Sequence, residues 1–279
     1  MSSHGIDLPA GRVHYREVGP ADGRAVVLVH GFLVDSSLWG DVPDRLAEQG
    51  FRCLVPTWPL GAHATAMGAD ADLSPRGVAR IVLTFLAALD LDDVVLVGSD
   101  TGGAVCQLLL DTDASRVGRL VLTDCDAFDT FPPFPFDLLF RLARHPRAAR
   151  VALQSMRVGR LRTSRLGFGW LVRRRLTAAE TLPWVTPYLS DAGVRRDVAR
   201  FARGWSRDDL VAVAPSLAAF ERPVLLVWAR RDPFFKLALA ERLAATFPDA
   251  RLVVVDDALT FVSLDQPERL VAEIVGAAS

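Results

Sequence analysis

The run Leu96-Val97-Gly98-Ser99-Asp100-Thr101-Gly102-Gly103 sets a carboxylate between flanking glycines. A β-rich stretch, Val94 to Val97, stops at this turn, and an apolar helical stretch, Ala104 to Leu110, follows at once. A strand that breaks into a helix at a sharp turn lifts its middle side chain clear of the sheet edge, where a nucleophile is needed. That middle residue is Asp100; Ser99 comes one place too early. An ionised carboxylate displaces a leaving group at saturated carbon without a base to activate it, and the product is an ester of the enzyme. Water attacking that ester then needs a general base, usually histidine. A carboxylate at such a turn also suits proton transfer, so both chemistries follow from Asp100.

The elements that must position Asp100 alternate along the chain. Ala25 to Val29, Phe51 to Val55, Val94 to Val97, Leu120 to Leu122, Val224 to Trp228 and Leu252 to Val255 are short continuous apolar runs. Runs of that kind are strands of a parallel sheet covered on both faces. Amphipathic stretches between them, Ser36 to Gln49, Ser74 to Leu89, Gly103 to Leu110, Ala238 to Phe247 and Gln266 to Ala277, predict helices. The order is that of a doubly wound α/β fold. Ile6 to Val18, interrupted by Pro9-Ala10-Gly11, predicts an antiparallel hairpin at the sheet edge.

The alternation fails between about Asp126 and Val213, which opens with Phe131-Pro132-Pro133-Phe134-Pro135-Phe136 and holds no convincing strand. A helical lid over residues 127–212 is therefore expected, inserted in a core made of residues 1–126 and 213–279. From Arg141 to Gly204 there are fifteen arginines against only Glu180, Asp191 and Asp197, although the whole chain has a net charge of −1. The lid either pairs with an acidic core or attracts an anionic substrate or acyl carrier. Balanced overall charge gives no reason to expect nucleic acid or a membrane surface as a partner. No basic-then-apolar leader opens the chain, so the expected compartment is the cytoplasm. Cys53, Cys106 and Cys125 stand singly in apolar runs, as buried small hydrophobes do. Monomer and homodimer are both open. With no phosphate loop and no His/Cys cluster at ligand spacing, no cofactor and no metal are expected.

The pattern resembles an α/β hydrolase. His30-Gly31-Phe32 follows the first core strand, the elbow is at Asp100, and Ala229-Arg230-Arg231-Asp232-Pro233-Phe234 follows a later strand. The resemblance implies that the Phe32 and Thr101 N–H groups form an oxyanion hole and that Asp232 is the supporting acid. The Asp100 elbow resembles the haloalkane dehalogenase and epoxide hydrolase branch, and implies a halide, an epoxide or an ester as substrate; the Phe131 to Phe136 hinge and the lid tryptophans suggest a pocket for a small to medium apolar or aromatic molecule.

Several positions depart from that branch. Its histidine falls in an Ala-Gly-His-Phe-like stretch, where this chain has Ala258-Leu259-Thr260-Phe261. A threonine hydroxyl has no useful basicity near neutral pH. The five histidines, His4, His14, His30, His63 and His145, all lie in the first 145 residues, and His63 or His145 is the candidate for a replacement base. Thr101 stands where dehalogenases carry a halide-holding tryptophan. Tyr15 and Tyr188 are the only tyrosines, where epoxide hydrolases use two from the lid. Candidate pocket residues are His30, Trp39, Trp58, His63, Phe131, Phe134, His145, Tyr188 and Thr260. Three functions follow: a hydrolase with Asp100 as nucleophile and an incomplete triad, a non-hydrolytic lyase, isomerase or cyclase using Asp100, or a silent binding protein. If both candidate imidazoles stand away from Asp100, the non-hydrolytic function moves ahead.

Overall fold

Strands of unbroken Val and Leu have no polar face to give to water, so both faces of this sheet are covered by helices. The computed structural model describes residues 2–278. Eight strands form one sheet: β1 (Ser2–Leu8), β2 (Gly11–Val18), β3 (Ala25–Val29), β4 (Arg52–Thr57), β5 (Val94–Asp100), β6 (Val117–Cys125), β7 (Val224–Ala229) and β8 (Ala250–Val255). Their order is β1-β2-β4-β3-β5-β6-β7-β8. The β1–β2 hairpin and the β2–β4 pair are antiparallel, and every later pairing is parallel. The edge hairpin and the six core strands are thus where the sequence pattern puts them.

One face of the sheet packs on the helices Pro75–Ala88, Thr101–Thr112 and Leu237–Ala244, through Val78, Phe85, Val105, Leu109 and Leu243 among others. The opposite face packs on Val42–Glu48 and Pro267–Ala278, through Val42, Leu46, Leu270 and Ile274. Burying each such side chain contributes ~2 kcal/mol, so the strand ends are held by rigid layers on both sides. Helix starts follow local chemistry. Ser74 accepts from Gly77 N–H ahead of Pro75, and Thr177 with Glu180 forms a full capping box.

One helix differs from expectation. Ser36 to Gln49 is not continuous but a 3₁₀ turn, Ser36–Trp39, and then a helix, Val42–Glu48. Gly40 has φ 52° and closes the first turn, and Pro43 fits only the first turn of the second. Between β6 and β7 the chain makes helices, the longest being Ala178–Ser190 and Ala192–Gly204. Two isolated bridges, Ala127 with Thr130 and Phe128 with Leu210, are its extended pairings outside the named strands. Among the described residues, no helix is long and apolar enough to cross a membrane.

Candidate active site

In a parallel sheet with neighbouring crossovers to opposite faces, the carboxyl ends of the central strands open a crevice. β5, between β3 and β6, ends there at Asp100. Asp100 has φ 55° and ψ −132°, a left-handed conformation that a non-glycine residue adopts at a cost of about 1–3 kcal/mol. The turn turns the carboxylate toward the loop after β3. There the N–H groups of Phe32 and Thr101 both donate to it. Two glycines make this approach possible: a Cβ on Gly31 would overlap the Asp100 carboxylate, and one on Gly102 would overlap the Val29 carbonyl. Ser99 lies behind the apex, buried, with its Oγ unpaired.

Burial pushes the Asp100 carboxyl up to about 7. The Phe32 and Thr101 N–H groups oppose that rise, and the neighbouring Asp232 adds to it. At neutral pH a substantial share of Asp100 is ionised, and the ionised form is the one the N–H pair holds.

Asp100 and Thr101 form the polar floor of a cavity of about 280 Å³. Phe32 and Leu33 line it from the β3 loop, Phe235 from the loop after β7, and Phe136, Leu139, Phe140, Met156, Phe168, Leu171, Val185 and Leu189 from the helical insertion. Tyr188 faces the same cavity, and its buried hydroxyl has no hydrogen-bond partner. Burial pushes that hydroxyl up to about 12, so it stays protonated and is a donor. The walls are otherwise apolar.

Asp232 and Thr260 sit together beside this floor, both buried and neither on the cavity wall. Asp232 Oδ1 accepts from the N–H groups of Phe234 and Phe235 at 2.6 and 2.8 Å. Its Oδ2 accepts from Thr260 Oγ1 at 2.6 Å. The hydroxyl thus meets the hydrogen-bonding need of the carboxylate and leaves nothing basic facing Asp100. Burial raises the Asp232 carboxyl while these donors hold it down.

None of the histidines takes the missing place. His30 is buried and neutral, with Nδ1 against Gly31 O at 2.9 Å and Nε2 accepting from Trp58 N–H at 2.8 Å; burial lowers it to about 4. It braces the loop that carries Phe32. His63 points its Nε2 at Asp197 Oδ2, 3.3 Å away, tying the loop after β4 to the helix Ala192–Gly204. His145 is exposed, ahead of Pro146. Neither His63 nor His145 lines the Asp100 cavity.

Other expected pocket residues also lie elsewhere. Trp39 is in the core layer on the far face of the sheet. Trp58 is in the near layer, its Nε1 donating to Leu28 O. Phe131 packs a layer behind the wall, on Phe140 and Trp205. Phe134 is 76 % exposed, because the prolines around it face the cavity and turn it outward. Of the aromatic and histidine candidates, Phe32 and Tyr188 are on the wall.

Two carboxyls were not foreseen. Asp124 and Asp126 end β6 and follow it, both fully buried. Asp124 accepts from Ala229 N–H at 3.0–3.1 Å and lies against Asp232, and burial together with that neighbour raises it well above the carboxylate range. Asp126 lies beside Asp100 and Thr101 with neither carboxyl oxygen in a well-formed hydrogen bond. Burial, then Asp100, raises it well above the carboxylate range, which favours its neutral form next to the elbow. The sequence signal was Thr123-Asp124-Cys125-Asp126 at the carboxyl end of an apolar strand, two acids where a buried strand has no other use for them.

Known proteins share this arrangement of chain. Haloalkane dehalogenase 2 of Mycobacterium tuberculosis is 28 % identical over 290 residues, spanning 99 % of this chain and 94 % of that protein. The cis-3-alkyl-4-alkyloxetan-2-one decarboxylase of Xanthomonas campestris is 27 % identical, spanning 95 % and 92 %. The crystal structure of haloalkane dehalogenase DbeA from Bradyrhizobium elkani superposes with a TM-score of 0.79 at 19 % identity, covering 99 % of this chain and 98 % of that one. Residues 24–267 match the model of the alpha/beta hydrolase fold, and this chain belongs to that family.

Proposed function

We propose that this protein is an enzyme in which Asp100 attacks a saturated carbon of an apolar substrate, and that its product leaves without help from an activated water. The supporting observation is the pairing at the two ends of the site. Both N–H donors hold the Asp100 carboxylate itself, while Asp232 is occupied by Thr260 and no histidine lines the cavity. Attack by a held carboxylate needs no base, whereas hydrolysis of the resulting ester does. Phe32 and Thr101 form the oxyanion hole of this proposal, and the helical insertion is the lid that keeps water out.

A substrate that carries its own means of release fits such a site. In a four-membered oxetan-2-one, Asp100 attacks the ring carbon that bears the ring oxygen, and that C–O bond breaks to leave a carboxylate on the neighbouring carbon. Loss of carbon dioxide then sends the electrons of the broken C–C bond into a new C=C bond, and Asp100 departs as the carboxylate it was at the start. One oxetanone gives one alkene and one carbon dioxide, with no water consumed and no proton moved. Tyr188 donates to the oxygen that departs in the first step. The likeness to a decarboxylase of cis-3-alkyl-4-alkyloxetan-2-ones supports this substrate class. The likeness to a haloalkane dehalogenase favours a hydrolase acting on alkyl halides as the second reading.

The test is product analysis with a cis-3,4-dialkyl-oxetan-2-one and, in parallel, intact-mass spectrometry with a long-chain alkyl halide. Alkene and carbon dioxide from the first, and a stable alkyl adduct on Asp100 from the second, are expected. Repeated turnover of either compound to an alcohol or hydroxy acid would mean that a hydrolytic base exists, and would return the assignment to a hydrolase.

A further inference from the structure

Arg160, Arg165, Arg173, Arg174, Arg175 and Arg231 line an open groove of about 1170 Å³ where the helical insertion meets the loop after β7. No carboxylate lines it. Arg174 pairs with Glu180 at 2.7 Å, and Arg173 with Asp257 at 3.6 Å. Among the described residues, Arg160, Arg165, Arg175 and Arg231 are exposed and form no ion pair. An uncompensated cluster of guanidinium groups repels itself and raises the local concentration of anions. A single carboxylate would leave most of these charges unmatched. Phosphate, with its several oxygens and up to two charges per group, suits several planar guanidinium forks at once.

A second observation ties the groove to the reaction site. The segment 164–172 is a shared wall. Its Arg165, Gly169 and Trp170 face the groove, and its Leu166, Phe168 and Leu171 face the Asp100 cavity. The loop after β7 repeats the division, with Phe234 on the groove and Phe235 on the cavity. Trp170, 40 % exposed, stacks on Phe234 with ring centroids 5.7 Å apart, so the groove has an apolar side as well as a cationic one. A charged recess and an apolar recess one chain segment apart match the two halves of an amphiphile.

We propose that the groove binds the phosphorylated head of a soluble amphiphile whose apolar chain occupies the Asp100 cavity; this rests on that cavity being the apolar substrate site. The groove is concave and holds its arginines along its walls, which suits a head group entering from solution better than a flat lipid surface.

Calorimetric titration with decyl phosphate below its micellar concentration, inorganic pyrophosphate and decanol tests this, using wild type and the triple variant Arg160→Ser, Arg165→Ser, Arg175→Ser. These three side chains are exposed and unpaired, so equal thermal midpoints are expected. Decyl phosphate should bind wild type at least tenfold more tightly than pyrophosphate or decanol. The triple variant should lose at least tenfold in decyl phosphate affinity and keep its affinity for decanol. Unchanged decyl phosphate affinity in the triple variant, or equal affinity of wild type for decyl phosphate and pyrophosphate, would overturn the proposal. So would arginine-dependent sedimentation with anionic phospholipid vesicles in the absence of decyl phosphate binding, which would make the groove a membrane contact. Asp100→Asn leaves the groove untouched and should still bind decyl phosphate, so a failure of the Asp100 chemistry and a failure of the groove give different results.

Discussion

The elbow at the end of β5 and the loop that carries Thr260 sit at the same rim of the sheet, and they are built to different ends. At the elbow, backbone strain, two glycines and two N–H donors converge on one carboxylate that opens into a cavity. At the Thr260 loop, hydrogen bonds from Thr260, Phe234 and Phe235 converge inward on Asp232. One region keeps a reactive group available and the other keeps its acid satisfied. On the proposed reading, the contrast separates the two halves of carboxylate catalysis, with attack on carbon at the elbow and no base set to activate water at the Thr260 loop.

Removing the reactive half should have the largest effect. Asp100→Asn should lower product formation and halide adduct formation by ~10³-fold or more, measured by chromatography and intact mass. In wild type, the rate of attack should rise with pH through about 7 and level off above it, because the proposed nucleophile is the ionised carboxylate and burial has raised its ionisation to that range.

Restoring the other half should erase the contrast. Thr260→His places an imidazole beside Asp232, and an alkyl adduct that is stable in wild type should hydrolyse in the variant, by ~10²-fold or more over the uncatalysed loss, increasing with pH through the imidazole range near 6.5. Tyr188→Phe sharpens the contrast within the cavity. It should slow opening of an oxygen ring by ~10-fold, the worth of one hydrogen bond to a developing charge, and leave adduct formation from an alkyl iodide unchanged.

The carboxyl next to the elbow gives a smaller effect, read as stability. Burial and Asp100 raise the Asp126 carboxyl in the folded protein above its unfolded value near 4, so its contribution is fully present below that value and is lost as pH rises from there toward its raised folded value. Asp126→Asn removes that dependence. Its melting temperature should exceed that of wild type by ~3 °C or more at pH 8, and the difference should shrink toward pH 5. Ser99→Ala, behind the apex, should change activity by less than about twofold, within the range of a substitution that touches no reacting group.

The sheet, the edge hairpin and the elbow were legible because each follows from local rules: unbroken Val and Leu for strands buried on two faces, Pro9-Ala10-Gly11 for a turn, paired glycines for a tight strand-to-helix passage. The division at Gly40 was legible in principle and was hidden by the amphipathic pattern on both sides of it. The cavity wall was not legible. Residue type says that Trp39, Trp58 and Phe131 are buried, but not whether they face a cavity or the core, and all three face the core. Asp124 and Asp126 were missed for a related reason, since the burial of an acid at a strand end is decided by distant segments that pack around it in the folded chain. The arginine excess was plain in the sequence. That five of the fifteen gather with Arg231 around one groove became visible only when segments 160–175 and the Arg231 loop were brought together.

The central claim is that turnover proceeds without water entering the Asp100 carboxyl. Multiple turnover of a cis-3,4-dialkyl-oxetan-2-one in H₂¹⁸O, followed by mass analysis of the peptide containing Asp100, measures this directly. Release by loss of carbon dioxide leaves both carboxyl oxygens in place, so the peptide should keep its ordinary mass after many cycles. Hydrolysis of an Asp100 ester by attack at its carboxyl carbon exchanges an oxygen in each cycle, and a peptide heavier by one or two ¹⁸O substitutions would contradict the account.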